Sequence, residues 1–296
     1  MFEEAPLPQV SAIVLADRAQ LRPCVEALLG SEKVNVEVVL VNDSRVDDGR
    51  PGDGVRWLAE LPGVTIVAGG IERGVAVATG GYLVLVPAGA VVEPGMLARM
   101  VRELARPEVG MAAGTDLVVH VLGLSSAPVA VLATTREHWD RLGGPSRGVV
   151  DFAIRTWRLG LLVVAVPDAV AEHLDEPDPG QAERDRLDLL LTLWSARSLL
   201  LLAVPLAGLE LALTAAAVRR GSLRARLGGW AWLVRNRRGV WARRKALRRE
   251  LAVPDRVWMR MLTDRLDASL APLPPGLRGP LNAIVTVWWR LVSRLV

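Results

Sequence analysis

A single cysteine, Cys24, in 296 residues excludes any disulfide within the chain, so nothing in the composition demands an oxidising compartment. It falls on an apolar helical pattern and reads as a small buried residue rather than a reactive thiol. Three histidines, His120, His138 and His173, are scattered without the spacing of a metal set. No local Ser-His-Asp or Cys-His motif accompanies them, so nucleophilic hydrolase chemistry has no support. Tyr occurs once and Phe twice, against ten Trp, so aromatic contacts fall to tryptophan. The opening MFEEAPLPQVSAIVLA has no basic segment ahead of its apolar run. No secretory leader is expected from it, and the N-terminus reads as cytoplasmic.

Acidic residues are missing from one long stretch. Positions 219–249 carry twelve Arg or Lys and no Asp or Glu, whereas Glu172, Asp175, Glu176, Asp178, Glu183, Asp185 and Asp188 crowd the segment 172–188. The net charge of +4 therefore conceals a basic block that suits either nucleic acid or an anionic membrane face.

Hydrophobic patterning in the first half alternates short apolar runs with helical segments. VSAIVLA (10–16) reads as a strand buried on both faces and VEVVLVND (36–43) as a second buried strand, with VTIVAG (64–69) and YLVLVPAG (82–89) as a third and a fourth. Helical patterns follow at 21–29, 95–104, 135–142 and 151–159. VGMAAGTD, VVHVLGLS and APVAVLA read as further strands of a mixed sheet, and LVVAVP (162–167) closes the domain. This order predicts an α/β fold with a mostly parallel sheet and flanking helices. In such sheets ligands bind beyond the carboxyl ends of the strands, which places Asp17, Asn42 and Asp43, and the segment after Val86, at the site.

Beyond about residue 180 the texture changes, so the domains are expected to be 1–180 and 181–296. Ser198–Val218 is a 21-residue apolar stretch interrupted by Pro205 and Glu210. Its length matches a bilayer span of about 20 residues, but a mid-bilayer Glu would need a partner. A span, a bent or interfacial segment, and a buried helical hairpin all remain open. Next, Arg237, Arg238, Arg243 and Arg244 interleave with Trp230, Trp232 and Trp241, and Trp288 and Trp289 repeat the theme beside Arg290 and Arg294. Basic residues with tryptophan at helical spacing predict contact with an anionic membrane surface. Single-stranded nucleic acid uses the same residue types; beside an apolar 21-mer the membrane reading is preferred.

Several segments in order carry a resemblance. VSAIVLADRAQLRPCVEALL, VEVVLVNDSRVDDG, GGYLVLVPAGAVVEPGMLARMVREL and REHWDRLGG followed by DFAIRTWRLGLLVVAVPDAVAEH resemble a family 2 glycosyltransferase of the GT-A fold, over residues 9–175. The apolar stretch and basic tail resemble actinobacterial members that act on lipid-linked sugars at the membrane. The resemblance implies a nucleotide-sugar site with Asp17 and Asp43 on the nucleotide, a Mg2+ or Mn2+ cofactor, and a location on the cytoplasmic face of the cell membrane.

The acids that such chemistry needs are absent. Pro87 and Gly89 stand where the family's metal-binding Asp-x-Asp is expected, so no metal cofactor is expected here. Glu93, four residues on, reads as a helix N-terminal acid. Gly148 and Val149 stand at the family's Glu-Asp base pair. Asp151 is the nearby carboxylate that could have taken over as base, and at a helix start it also reads as a cap. Between Gly74 and Gly80 the chain is about eight residues short of the family pattern, or roughly two turns of helix. The expectation is a membrane-associated pseudoenzyme, a partner or scaffold for another glycosyltransferase or for envelope assembly. The alternative is a divergent active transferase, working from a nucleotide or polyprenyl-phosphate donor without the metal. Nucleotide sugar is a partner only if that alternative holds.

Overall fold

The computed structural model describes residues 6–15, 21–42, 58, 60–87, 89–114, 117–126, 131–145, 148–166, 169–171, 179–250, 253–266, 270, 273 and 275–295. The chain divides into two compact units. One comprises residues 1–116, 127–149 and 161–174; the other comprises 117–126, 150–160 and 175–296. The chain visits the second unit twice, at 117–126 and 150–160, before the last crossing at 174/175.

In the sheet unit the elements are β1 (Gln9–Leu15), α1 (Leu21–Leu29), β2 (Asn35–Asn42), β3 (Val64–Ala68), α2 (Ile71–Val77), β4 (Tyr82–Pro87), β5 (Ala90–Val92), α3 (Met96–Leu104) and β6 (Val109–Ala113). After the first excursion come β9 (Leu132–Thr135) and α4 (Arg136–Leu142), and later β10 (Leu162–Ala165) and β11 (Ala169–Ala171). The main sheet runs β10-β6-β9-β4-β1-β2-β3. β4, β1, β2 and β3 are mutually parallel, as are β6 and β10, while β9 runs against both its neighbours.

The apolar runs explain the centre of this sheet. β1 is covered on both faces, so it carries no alternation of polar residues. Val10, Ala12 and Val14, with Val38, Leu40, Val84 and Val86, join Cys24, Val25 and Leu28 of α1 and Met96, Leu97, Met100, Val101 and Leu104 of α3 in one core. The α3 residues recur at one-and-three spacing, the stripe of a helix laid on a sheet. α2 covers the opposite face. Gly74 permits its close approach, because a Cβ there would stand 2.5 Å from Val41 Cγ2 and 3.1 Å from Ile13 Cγ2. Arg136 then locks the α2–β4 link by donating to the carbonyls of Gly80 (3.0 Å) and Ala78 (2.7 Å).

The helical unit contains β7 (Val118–Val119) paired with β8 (Ser125–Ser126), α5 (Val149–Arg158, whose first residue is assigned to the sheet unit), α6 (Pro179–Leu193), α7 (Ala196–Leu201), α8 (Ala203–Arg220), α9 (Leu223–Glu250), α10 (Asp255–Trp258) and α11 (Pro275–Val292). VVHVLGLS, expected in the main sheet, forms the β7–β8 hairpin instead. Its tip presses on α6, where Gly123 at φ +75° leaves no room for a side chain against Leu190. The Trp194 indole donates to the Val121 carbonyl at 3.1 Å and meets Trp258 edge-on with ring centres 5.2 Å apart. These contacts keep the hairpin with the helices.

Ser198–Val218 does not form one continuous helix. α7 ends at Leu201, and a one-residue irregularity at Leu202 (φ −91°, ψ 3°) separates it from α8 without a change of direction, since the Leu202 N–H still bonds Ser198 and the Leu206 N–H bonds Leu202. Pro205 sits in the first turn of α8, where a missing N–H is tolerated. No helix among the described residues is long and apolar enough to cross a membrane. Glu210, the acid that weighed against a span, is turned inward onto Arg186 at 2.5 Å and onto Arg226.

Candidate functional site

The strand ends named from sequence do lie side by side. Leu15 pairs in register with Val41 on one side and Pro87 on the other. Asp17, Asp43 and Gly89 each follow that row by two residues in sequence. Asp17 and Asp43 lie outside the described residues, as does His173. Asn42, at the end of β2, is buried.

Gly89 begins the turn from β4 to β5 with φ +85°. Burial pushes the Cys24 thiol on α1 up to about 11, outweighing the lowering effect of the Gly89 backbone N–H. The turn carries no carboxylate. Pro87 offers no side-chain donor, and among the described residues no group of three or more His, Cys, Asp or Glu could hold a metal ion. The residues present at 87 and 89 do not fit the divalent cation that the fold family implies. Glu93 is no substitute: it pairs with Arg99 at 3.1 Å on the surface, as expected of an acid near a helix start.

The base position is equally bare. Gly148 adopts φ +87° and Val149 begins α5. Asp151, the candidate for a relocated base, is fully buried. Its carboxylate accepts from Arg155 at 2.8 Å and from Arg243 of α9 at 2.6 Å. A carboxylate with no solvent exposure, its oxygens taken up by two guanidiniums, offers an acceptor hydroxyl no approach. The sequence reading of Asp151 as a base, or as a simple helix cap, is therefore replaced by a buried ion cluster.

That cluster is one of three among the described residues of the helical unit. Arg243 also binds Asp188 of α6, itself 1% exposed. Arg226 of α9 bridges Glu183 (3.0 Å) and Glu210, and Arg186 bridges the same two acids. Burial alone would lower the Arg186 pKa, but Glu183 and Glu210 outweigh it and raise it above its ordinary range. Asp255 accepts from the Ser198 hydroxyl, the Ser195 N–H (2.8 Å) and the Trp258 indole (3.2 Å). Burial pushes its carboxyl up, and these donors overcome that to hold it below the usual range. Asp151–Arg155 and Glu183–Arg186 fall at helical spacing, but the ion pairs that join different helices link residues 16 to 92 apart, for which the sequence has no periodic signal.

The membrane-contact residues named from sequence divide in the same way. Trp230, Trp241, Arg237 and Arg238 are exposed, and Trp232 and Trp289 are half-buried. Trp288 is half-buried and donates to the Leu201 carbonyl at 2.6 Å. Arg243 and Arg244 are taken up inside the helical unit: the first in ion pairs, the second 6% exposed and donating to the Leu191 carbonyl. They are corrected from surface contacts to parts of the interior.

No protein-family model matches the chain, and no curated protein matches it by sequence. A solved structure described as the crystal structure of GalNAc-T7 with UDP, GalNAc and Mn2+ matches in shape, at a TM-score of 0.53 and 13% identity. The match covers 65% of this chain and 49% of that one, so the chain spans about half the length of the protein it is similar to. The fold is GT-A-like. At that identity the likeness establishes architecture: a mixed α/β domain with a central, mostly parallel sheet and flanking helices.

Proposed function

We propose that this chain is a glycosyltransferase-like protein that does not perform metal-dependent sugar transfer. It serves as a membrane-associated partner or scaffold in the assembly of cell-envelope glycans or glycolipids. The observation that carries this reading is the fate of the acids. Positions 87 and 89 hold no ligand, positions 148 and 149 hold no base, and the carboxylate left nearby, Asp151, is neutralised by Arg155 and Arg243. The diphosphate leaving group of a nucleotide sugar needs countercharge and the acceptor needs a base; neither has a residue at its expected place. The membrane and envelope parts rest on the resemblance and on the basic, Trp-bearing α9 and α11.

A divergent active transferase is supported by one feature, the intact register row of Leu15, Val41 and Pro87 with Asp17 and Asp43 just beyond it. Calorimetric titration with a panel of nucleotide sugars, with and without Mn2+, separates the two. The scaffold reading expects no heat that depends on Mn2+; a metal-dependent binding isotherm for any donor would sink it.

A further inference from the structure

The helical unit carries an apolar face that its own core does not use. Fifteen of the eighteen exposed large hydrophobic side chains among the described residues belong to this unit, well beyond the scattered single exposures of an ordinary surface. On α8, Val204, Leu211 and Val218 are exposed at helical spacing, with the small Ala207 and Ala215 between them. On α11, Ile284, Val287 and Leu291 repeat the pattern.

The two stripes lie together. Gly208 of α8 approaches Leu281 of α11, and Trp288 donates to the Leu201 carbonyl, so the helices run antiparallel. At about 100° per residue, the row facing the partner helix stands roughly 70° round from the exposed row, in the same rotational sense on each. For an antiparallel pair this opens both stripes on the same side, flanking the seam.

The charges around this face have one sign. Arg219 and Arg220 end α8, and Arg290 and Arg294 mark the opposite end of the pair, all exposed. Between Ala196 and Arg249 the chain has one acid, Glu210, which is turned in onto Arg186 and Arg226; residues 275–295 have none.

We propose that the α8–α11 face is the surface on which this protein seats on an anionic lipid bilayer, the two helices lying in the headgroup plane. The proposal rests on the membrane association put forward above and assigns it to a surface. Apolar side chains enter the acyl boundary while the terminal arginines meet lipid phosphates. A second copy of the chain fits this face poorly, because any two-fold pairing sets arginine against arginine with no acid between. α9 is the rival surface, but Arg237 and Arg238 interrupt its exposed apolar row.

The test is flotation of the full chain with vesicles of phosphatidylcholine containing about 30% phosphatidylglycerol, compared with phosphatidylcholine alone. The parent is expected to float with the anionic vesicles, and Leu211→Asp combined with Val287→Asp to lower partitioning at least about tenfold. Both positions are exposed, so the melting transition should hold. Equal flotation of parent and double variant overturns the assignment to this face and leaves membrane association standing. A parent that stays in solution at low salt overturns both. A stable parent dimer that the double variant dissolves assigns the face to self-association instead. If the double variant does not fold, an environment-sensitive dye on Leu211→Cys decides: a blue shift on vesicles supports the face. A shift confined to the same dye on Trp241→Cys overturns it in favour of α9.

Discussion

Replacing Asp151 with Asn separates a structural carboxylate from a catalytic one. The side chain is fully buried, Arg155 beside it is 3% exposed, and Arg243 reaches it from α9. At a surface, losing one such ion pair would cost about 0–1 kcal/mol. Removing one partner from a buried pair costs about 3–5 kcal/mol, because the remaining charge is left in a poorly solvated interior. Arg243 keeps Asp188 as a partner, so the loss should fall near the lower end, about 3 kcal/mol. At about 2–4 °C per kcal/mol for a domain of this size, the melting transition should drop by roughly 6–12 °C. Differential scanning calorimetry of the full chain reads this directly. Asp151→Leu combined with Arg155→Met should recover part of the loss, since apolar side chains can replace a buried pair. A D151N protein that melts with the parent would refute the buried ion cluster. It would reopen Asp151 as a group that an acceptor could reach.

Three other expectations concern the sheet unit. Burial raises the Glu37 carboxyl, but donors from Ser11, Thr79 and Gly80 overcome it and hold the pKa below 4.5. Its contribution is therefore complete above pH 4.5 and lost as pH falls through the folded value. Glu37→Gln should flatten that part of an acid-unfolding curve, and an unchanged curve would show the donors contribute nothing. Gly74→Ala places a methyl 2.5 Å from Val41 Cγ2 and should destabilise the sheet unit by about 1–3 kcal/mol in urea; a neutral result would mean α2 is not seated on β1 and β2. Cys24, with its thiol at about 11, should react with Ellman's reagent at pH 8 on the order of 100-fold more slowly than a free thiol. Rapid labelling of the native protein would contradict its burial.

How far the sequence carried depended on the kind of interaction. β1, β2 and β4 were legible because strands covered on both faces leave continuous apolar runs, and α3 because its buried residues follow one stripe. The turn at Gly89 was legible as a missing ligand, since glycine has no side chain to offer. Asp151 was not: its partner Arg243 is 92 residues away, and no local pattern distinguishes a cation bound inside from one facing a lipid surface. The same limit made Arg243 and Arg244 look like their exposed neighbours Arg237 and Arg238. Ser198–Val218 misled for a different reason. Its length and composition suited a bilayer, while the inward turn of Glu210 onto Arg186 and Arg226 appears only once α6, α8 and α9 are packed.

The most direct test of the central claim is turnover. The purified chain is incubated with a panel of nucleotide sugars and polyprenyl-phosphate vesicles, with Mn2+ or with a chelator, and free nucleotide is measured. With no ligand at Pro87 or Gly89 and no base at Gly148 or Val149, no release above the protein-free rate is expected in either condition. Repeated turnovers from any donor would contradict the account, and their loss with the chelator would show that a metal site exists where these residues leave none.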